Sequence, residues 1–136
     1  MNNDTAIALV QSYYDAFNRG DWPAMLELLA DEVVHDLSQG PRETGREAFA
    51  AFLDEMARCY RERLGDIVVM AGADGRRAAA EYTVDGVYLA TQPGLPEAHG
   101  QRYRLPGGAF FEIRDGRIAR ISNHYNLGDW LAQVGA

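Results

Sequence analysis

The chain has 136 residues, 47% of them apolar, and 13 basic residues, all arginine, against 20 acidic ones, for a net charge of −7. That is enough chain for one hydrophobic core, and the charge disfavours nucleic acid and anionic membrane surfaces as partners. The absence of lysine removes Schiff-base, pyridoxal-anchoring and Walker-type lysine chemistry, and the single cysteine, Cys59, allows neither an internal disulfide nor a cysteine-rich zinc site.

Asp4 is placed to cap a helix starting at Thr5, whose apolar residues Ala6, Leu9, Val10, Tyr13 and Phe17 recur at helical spacing until Gly20 ends it. Asp21 caps a second, short helix with Pro23 in its first turn, where the missing N–H does no harm. Met25, Leu26, Leu28 and Leu29 give it apolar surface. Residues 33–37 read as a short strand and 38–45 as turn chemistry. The longest helix is expected over 46–63, with Phe49, Phe52, Leu53, Met56 and Tyr60 as its apolar stripe. Arg58, Arg61 and Arg63 with Glu55 and Glu62 read as its solvated face. Beyond Gly65 the period becomes two, giving strands over 67–71, 78–90, 101–114 and Arg117–Tyr125, with a tight hairpin turn at Arg114-Asp115-Gly116. A long loop separates the second and third of these strands, and Leu127–Val134 closes the chain as a short helix. No repeat or linker divides the sequence. The expectation is a single domain over 1–136, of α+β class, with helices covering one face of a curved, mostly antiparallel sheet.

The N-terminus is polar and acidic, without a signal-peptide pattern, and no apolar run nears the roughly 20 residues of a membrane span. A cytoplasmic location is therefore expected. The three serines, Ser12, Ser38 and Ser122, lie outside any G-x-S-x-G pattern, and His35, His99 and His124 form no local metal-ligand pair, so no metal is expected. What remains is acid–base work by carboxylates, tyrosines and histidines, or plain binding.

Several stretches point to a family: Tyr13-Tyr14-Asp15-Ala16-Phe17-Asn18-Arg19-Gly20-Asp21-Trp22, then Leu29-Ala30-Asp31-Glu32-Val33, then Gly45-Arg46-Glu47-Ala48-Phe49. Phe110-Phe111-Glu112-Ile113-Arg114-Asp115-Gly116-Arg117-Ile118 and the ending from Leu131 to Gly135 complete the set. Together they resemble the nuclear transport factor 2-like superfamily, in its ketosteroid isomerase-related and SnoaL-like polyketide cyclase branch. The resemblance implies a cone of three N-terminal helices on a curved sheet, enclosing one apolar pocket. It also implies a homodimer through the sheet's outer face. In ketosteroid isomerases an aspartate abstracts a proton while a tyrosine and a protonated aspartic acid hold the enolate oxygen. By resemblance the tyrosine falls on Tyr13 and the base on Asp36. The second oxyanion donor falls on Ala109, and a supporting tyrosine on Leu53. Loss of one such donor costs on the order of a hundredfold in turnover, so efficient steroid isomerisation is not expected.

Read residue by residue, Asp36 is the candidate base, in the apolar context of Val33, Val34 and Leu37. Strand alternation sends His35 and Asp36 to opposite faces, and the sequence leaves open which one faces inward. Tyr13 and Asn123 are candidate polar positioning groups, and His35 completes the catalytic set. Tyr82, Val84, Gly86 and Tyr88 share one strand face, with Gly86 leaving space for a ligand; Ile121, Asn123 and Tyr125 share another. His124 would then point outward, whereas a register slip of one residue would turn it inward to pair with Asp36 as an acid–base set. Phe17, Met56, Tyr82, Tyr88, Phe111 and Tyr125 are the expected apolar wall, and Cys59 an inert buried thiol. The leading expectation is a cofactor-independent enzyme that shifts a proton beside the carbonyl of a small apolar compound. The alternative is a non-catalytic homodimeric module that binds such a ligand.

Overall fold

The structure, a computed structural model, describes residues 2–135. Helix α1 (Asn3–Arg19) is capped by Asn2, whose Oδ1 accepts the Thr5 N–H at 2.9 Å. The cap expected at Asp4 thus lies two residues earlier, and Asp4 sits in the first turn, where its charge favours the helix dipole. Gly20 ends α1 with φ +69° and donates its N–H to the carbonyls of Ala16 and Phe17. In α2 (Trp22–Glu27) Asp21 caps Ala24 N–H at 3.1 Å, with Pro23 in the first turn, as the sequence predicts.

Strand β1 (Leu29–Asp36) starts four residues before the expected one, because Leu29 and Val33 both bury their side chains in the core. Part of the expected turn is a short strand, β2 (Arg42–Thr44), antiparallel to β1. Helix α3 (Arg46–Cys59) is followed at once by β3 (Tyr60–Ala71), so the helix expected over 46–63 is four residues shorter. The segment Tyr60-Arg61-Glu62-Arg63 alternates between half-buried and exposed and pairs with β4 (Arg77–Tyr88) in the register Tyr60↔Tyr88, Glu62↔Gly86. Strand pairing here overrides good helical propensity. Strands β5 (Arg102–Arg114) and β6 (Arg117–Tyr125) follow, joined by a turn with positive φ at Asp115 and Gly116, then α4 (Leu127–Val134).

The six strands lie in the order β2-β1-β6-β5-β4-β3. β3 to β6 form an antiparallel meander, while β1 joins β6 in parallel, with His35 beside Ile121 and Asp36 beside Ser122. Helix α1 lays Ala6, Val10, Tyr13, Tyr14 and Ala16 on the inner face of the sheet. There the Tyr13 ring meets Phe111 edge-on at 5.8 Å and Tyr14 tilts against Tyr82 at 5.5 Å. Such aromatic pairs contribute roughly 0.5–1.5 kcal/mol beyond area burial. β3 is an edge strand, and Asn18 at the end of α1 clips it: its Oδ1 accepts Leu64 N–H and its Nδ2 donates to Leu64 O, at 2.9 and 3.0 Å. At the other end α4 drives Trp130 between Tyr60, Tyr88 and Tyr103. The Gln133 amide makes both a donated and an accepted bond with the Arg104 backbone, each at 2.8 Å. No helix among the described residues is long and apolar enough to cross a membrane.

Candidate active site

Helices and sheet enclose a cavity of about 690 Å³, within the roughly 300–1,000 Å³ of small-molecule sites. Phe17, Met25, Phe49, Phe52, Leu53 and Met56 give it an apolar wall, and Gln92, Pro93 and Leu95 of the β4–β5 loop stand at its margin. No arginine is among the described residues that line it, whereas Glu43, Glu55 and Glu62 are.

His35 faces this cavity and Asp36 does not. His35 is 2% exposed, with its ring edge-on to Phe52 at 4.5 Å and tilted on Phe49 at 4.9 Å. Burial pushes its pKa down to about 4, so the imidazole is neutral at neutral pH. Its Nε2 lies 3.4 Å from the Asn123 amide nitrogen, and its Nδ1 is buried with no partner among the described residues. Glu43 stands directly opposite His35 in the β1–β2 ladder, and its Oε1 is likewise buried and unpartnered.

Asp36, the expected base, points to the other face of β1. Its carboxylate takes Arg42 Nε and Nη2 at 2.6 and 3.0 Å and Arg120 Nε at 2.9 Å. The hydrogen bonds from Arg42, and then those from Arg120, hold its pKa down at about 2. A carboxylate bound by two guanidiniums on the wrong side of the sheet cannot serve as the base, so this expectation is overturned. The cause is the period-two alternation, which gives the cavity one member of the pair.

The remaining candidates divide. Tyr13, Asn123, Phe17, Met56, Tyr82 and Tyr125 all line the cavity. Burial raises the pKa of the Tyr13 hydroxyl, which therefore stays a neutral donor; it makes no hydrogen bond with the described residues. Tyr82 is pushed up to about 12 for the same reason. Tyr88 and Phe111 do not line the cavity, contrary to expectation. Phe111 lies in the packed layer against Tyr13 and Tyr14. Tyr88 stacks on Tyr60 at 5.4 Å, and its hydroxyl donates to Pro96 O at 2.8 Å and accepts Gln92 N–H at 3.1 Å, which ties down the β4–β5 loop. His124 also borders the cavity, while its ring turns to Ser122 and Phe110. Ala109 and Leu53 are buried and offer no hydrogen bond. The Cys59 thiol is buried and donates to Glu55 at 3.1 Å, and burial raises its pKa.

One functional candidate escaped the sequence reading. Glu62, read there as part of a solvated helix face, is on β3 with its side chain turned into the cavity. Gly86 stands directly between Glu62 and Tyr103 in the register of β3, β4 and β5. With no Cβ at Gly86, the Tyr103 ring lies across β4: a Cβ there would meet Tyr103 Cζ at 2.2 Å. The ring thereby reaches β3, where its hydroxyl donates to Glu62 Oε2 at 2.6 Å. Burial raises the Glu62 carboxyl pKa, and the Tyr103 bond only partly opposes this. The available signal was the alternation Tyr60, Glu62, Leu64, hidden because Arg46 onward also scans as a helix.

The SnoaL-like domain family model matches residues 10–121, and the chain belongs to this family. None of the curated proteins matches it. Among solved structures, a candidate polyketide cyclase from Pseudomonas putida is 61% identical, over 95% of this chain and 97% of that one, with a TM-score of 0.94. A second candidate polyketide cyclase, from a Silicibacter species, is 48% identical over 100% and 99% of the two chains, with a TM-score of 0.96. A candidate ketosteroid isomerase from Kribbella flavida is 26% identical, over 91% of this chain and 79% of that one, with a TM-score of 0.64.

Proposed function

We propose that this chain is a cofactor-independent acid–base enzyme that moves a proton beside the carbonyl of a small apolar compound, in an isomerisation, cyclisation or dehydration. The observation that carries the reading is the neutral imidazole of His35, buried in an apolar cavity with Glu43 opposite it. In this reading His35 Nε2 takes the proton from carbon. The electron pair of the broken C–H bond moves into the enolate, and Tyr13 and Asn123 donate hydrogen bonds to its oxygen. Burial disfavours the imidazolium that forms, and the carboxyl of Glu43, directly across the β1–β2 ladder, is the nearest cavity-lining acid on that side to offset it by charge. The enolate then recovers a proton at another carbon, attacks a second carbonyl, or expels a hydroxyl as water. The names carried by the similar structures from Pseudomonas putida and Silicibacter, candidate polyketide cyclases, agree with chemistry of this type.

Proton exchange followed by NMR in D2O tests the reading with a panel of apolar ketones and enones. Deuterium should enter at carbons adjacent to the carbonyl with the wild type and not with His35→Gln. Exchange that survives in His35→Gln would remove His35 from the role of base.

A non-catalytic homodimeric binding module is the second reading. It is favoured by the missing donors at Ala109 and Leu53 and by the low basicity of a histidine held at about 4. Its dimer contact would be the outer sheet face, where Phe110 is 57% exposed. Ligand-induced stabilisation without exchange from any panel member is its signature.

A further inference from the structure

The proton-transfer reading uses the His35 end of the cavity and leaves Glu62 without a task. Glu62 differs from the other carboxyls of the lining. Glu55 is engaged by Arg58 and by the Cys59 thiol. Glu43 is opposite His35. Glu62 takes part in no ion pair among the described residues, and its one hydrogen bond there is from the Tyr103 hydroxyl to Oε2. Its second oxygen, Oε1, is engaged by no described residue. The neighbouring hydroxyl of Tyr60 is committed to Gln92 Oε1, at 2.6 Å, and does not compete for it.

A half-buried carboxyl with one oxygen uncommitted favours a ligand that completes its hydrogen bonding. The fold goes to some length to hold it there: Gly86 clears the path, and the Tyr103 ring, edge-on to Trp130 and Tyr60, is fixed in that path. Among the described residues no arginine lines this cavity beside Glu43, Glu55 and Glu62, which disfavours an anionic ligand there, and an ether oxygen brings no donor to the free oxygen of Glu62.

We propose that Glu62, held by Tyr103, determines which molecules the cavity accepts: an otherwise apolar compound presenting an O–H or N–H donor to the free oxygen of Glu62, and no anionic group. This rests on the reading of the cavity as a substrate site and adds the second polar end of the substrate. A hydroxyl and a protonated amine share this donor chemistry, and the test separates them.

The test is a binding measurement, independent of turnover. The probes are 2-acetylnaphthalenes carrying at carbon 6 a hydroxyl, an aminomethyl, a methoxy or a carboxylate group, titrated by calorimetry against the wild-type protein. The hydroxyl or the aminomethyl probe should bind about tenfold or more tighter than the methoxy probe, and the tighter of the two identifies the donor. The carboxylate probe should bind most weakly. In the double variant Glu62→Leu/Tyr103→Phe, which removes acceptor and donor together and leaves neither unpaired, the preference should fall to within about twofold. Equal binding of hydroxyl, aminomethyl and methoxy probes by the wild type would overturn the proposal. So would tight binding of the carboxylate, or failure of both donor probes to bind. A preference that survives in the double variant would also overturn it. The wild-type comparison alone decides the matter if the double variant does not fold. None of these outcomes bears on the role of His35, which turns on exchange at carbon.

Discussion

His35 and Asp36 are adjacent in the chain and lie on opposite faces of β1, the first neutral in an apolar cavity, the second ionised between Arg42 and Arg120. Their substitution should therefore separate two properties. Asp36→Asn should leave proton exchange nearly unchanged and cost about 1 kcal/mol of stability, given a side chain 24% exposed to screening solvent. His35→Gln should lower exchange by roughly a hundredfold or more. Because Asp36 is held below its ordinary value of 3.8, its contribution is complete above that pH and is lost as pH falls through about 2. Urea unfolding of wild type and Asp36→Asn from pH 7 to pH 2 should show the two curves converge at the acid end.

His35 acts over a different range. Between its ordinary value of 6.5 and its folded value of about 4, the unfolded chain holds a proton on this ring that the folded chain does not. Stability therefore falls as pH falls across that window, by about 3 kcal/mol when the full shift is counted, and is flat with respect to His35 above it. His35→Gln should lack this component, so denaturation of both proteins from pH 7 to pH 4 should show a steeper loss in the wild type.

Gly86→Ala places a methyl where the Tyr103 ring lies, and that ring is packed against Trp130 and Tyr60. Overpacking of this kind costs about 1–3 kcal/mol, which lowers Tm by several degrees for a chain of this size. Pairing it with Tyr103→Ala should recover much of the loss. Simple additivity of the two costs in a thermal-melt double-mutant cycle would contradict the crossing of β4 by the ring.

Tyr88→Phe removes one hydroxyl and two hydrogen bonds, to Pro96 O and from Gln92 N–H. The expected cost is about 1–2 kcal/mol. It should appear locally, as faster hydrogen exchange at Gln92 with protection in β5 unchanged. Global acceleration would instead make Tyr88 part of the general core.

Most of the helices and strands were legible because their signals are local: Asp21 and Gly20 as caps, the α1 stripe, the Asp115-Gly116 turn. The start of β3 was not, since Tyr60 to Arg63 fits a helix until Val87 and Gly86 are brought beside it. Of the residues read from the sequence as facing a cavity, Tyr13, Tyr82, Asn123 and Tyr125 line it, whereas Tyr88 and Phe111 are taken up by packing. The ionisable groups were harder. A one-residue register choice decides between His35 and Asp36, and Glu62 depends on a glycine 24 positions away in sequence but directly opposite in the sheet.

The parallel pairing of β1 with β6 also bears on how the molecule comes into being. During synthesis β1 emerges early with only the short β2 to pair against, and its inner neighbour is the last strand made. His35 and its partner Ile121 lie 86 positions apart, and closing a loop of that length before the contact forms slows folding. Until β6 leaves the ribosome, Val33 and His35 have no strand beside them on that edge. The nascent chain should therefore acquire the His35 end of its cavity only once β6 has been made, long after β1 itself.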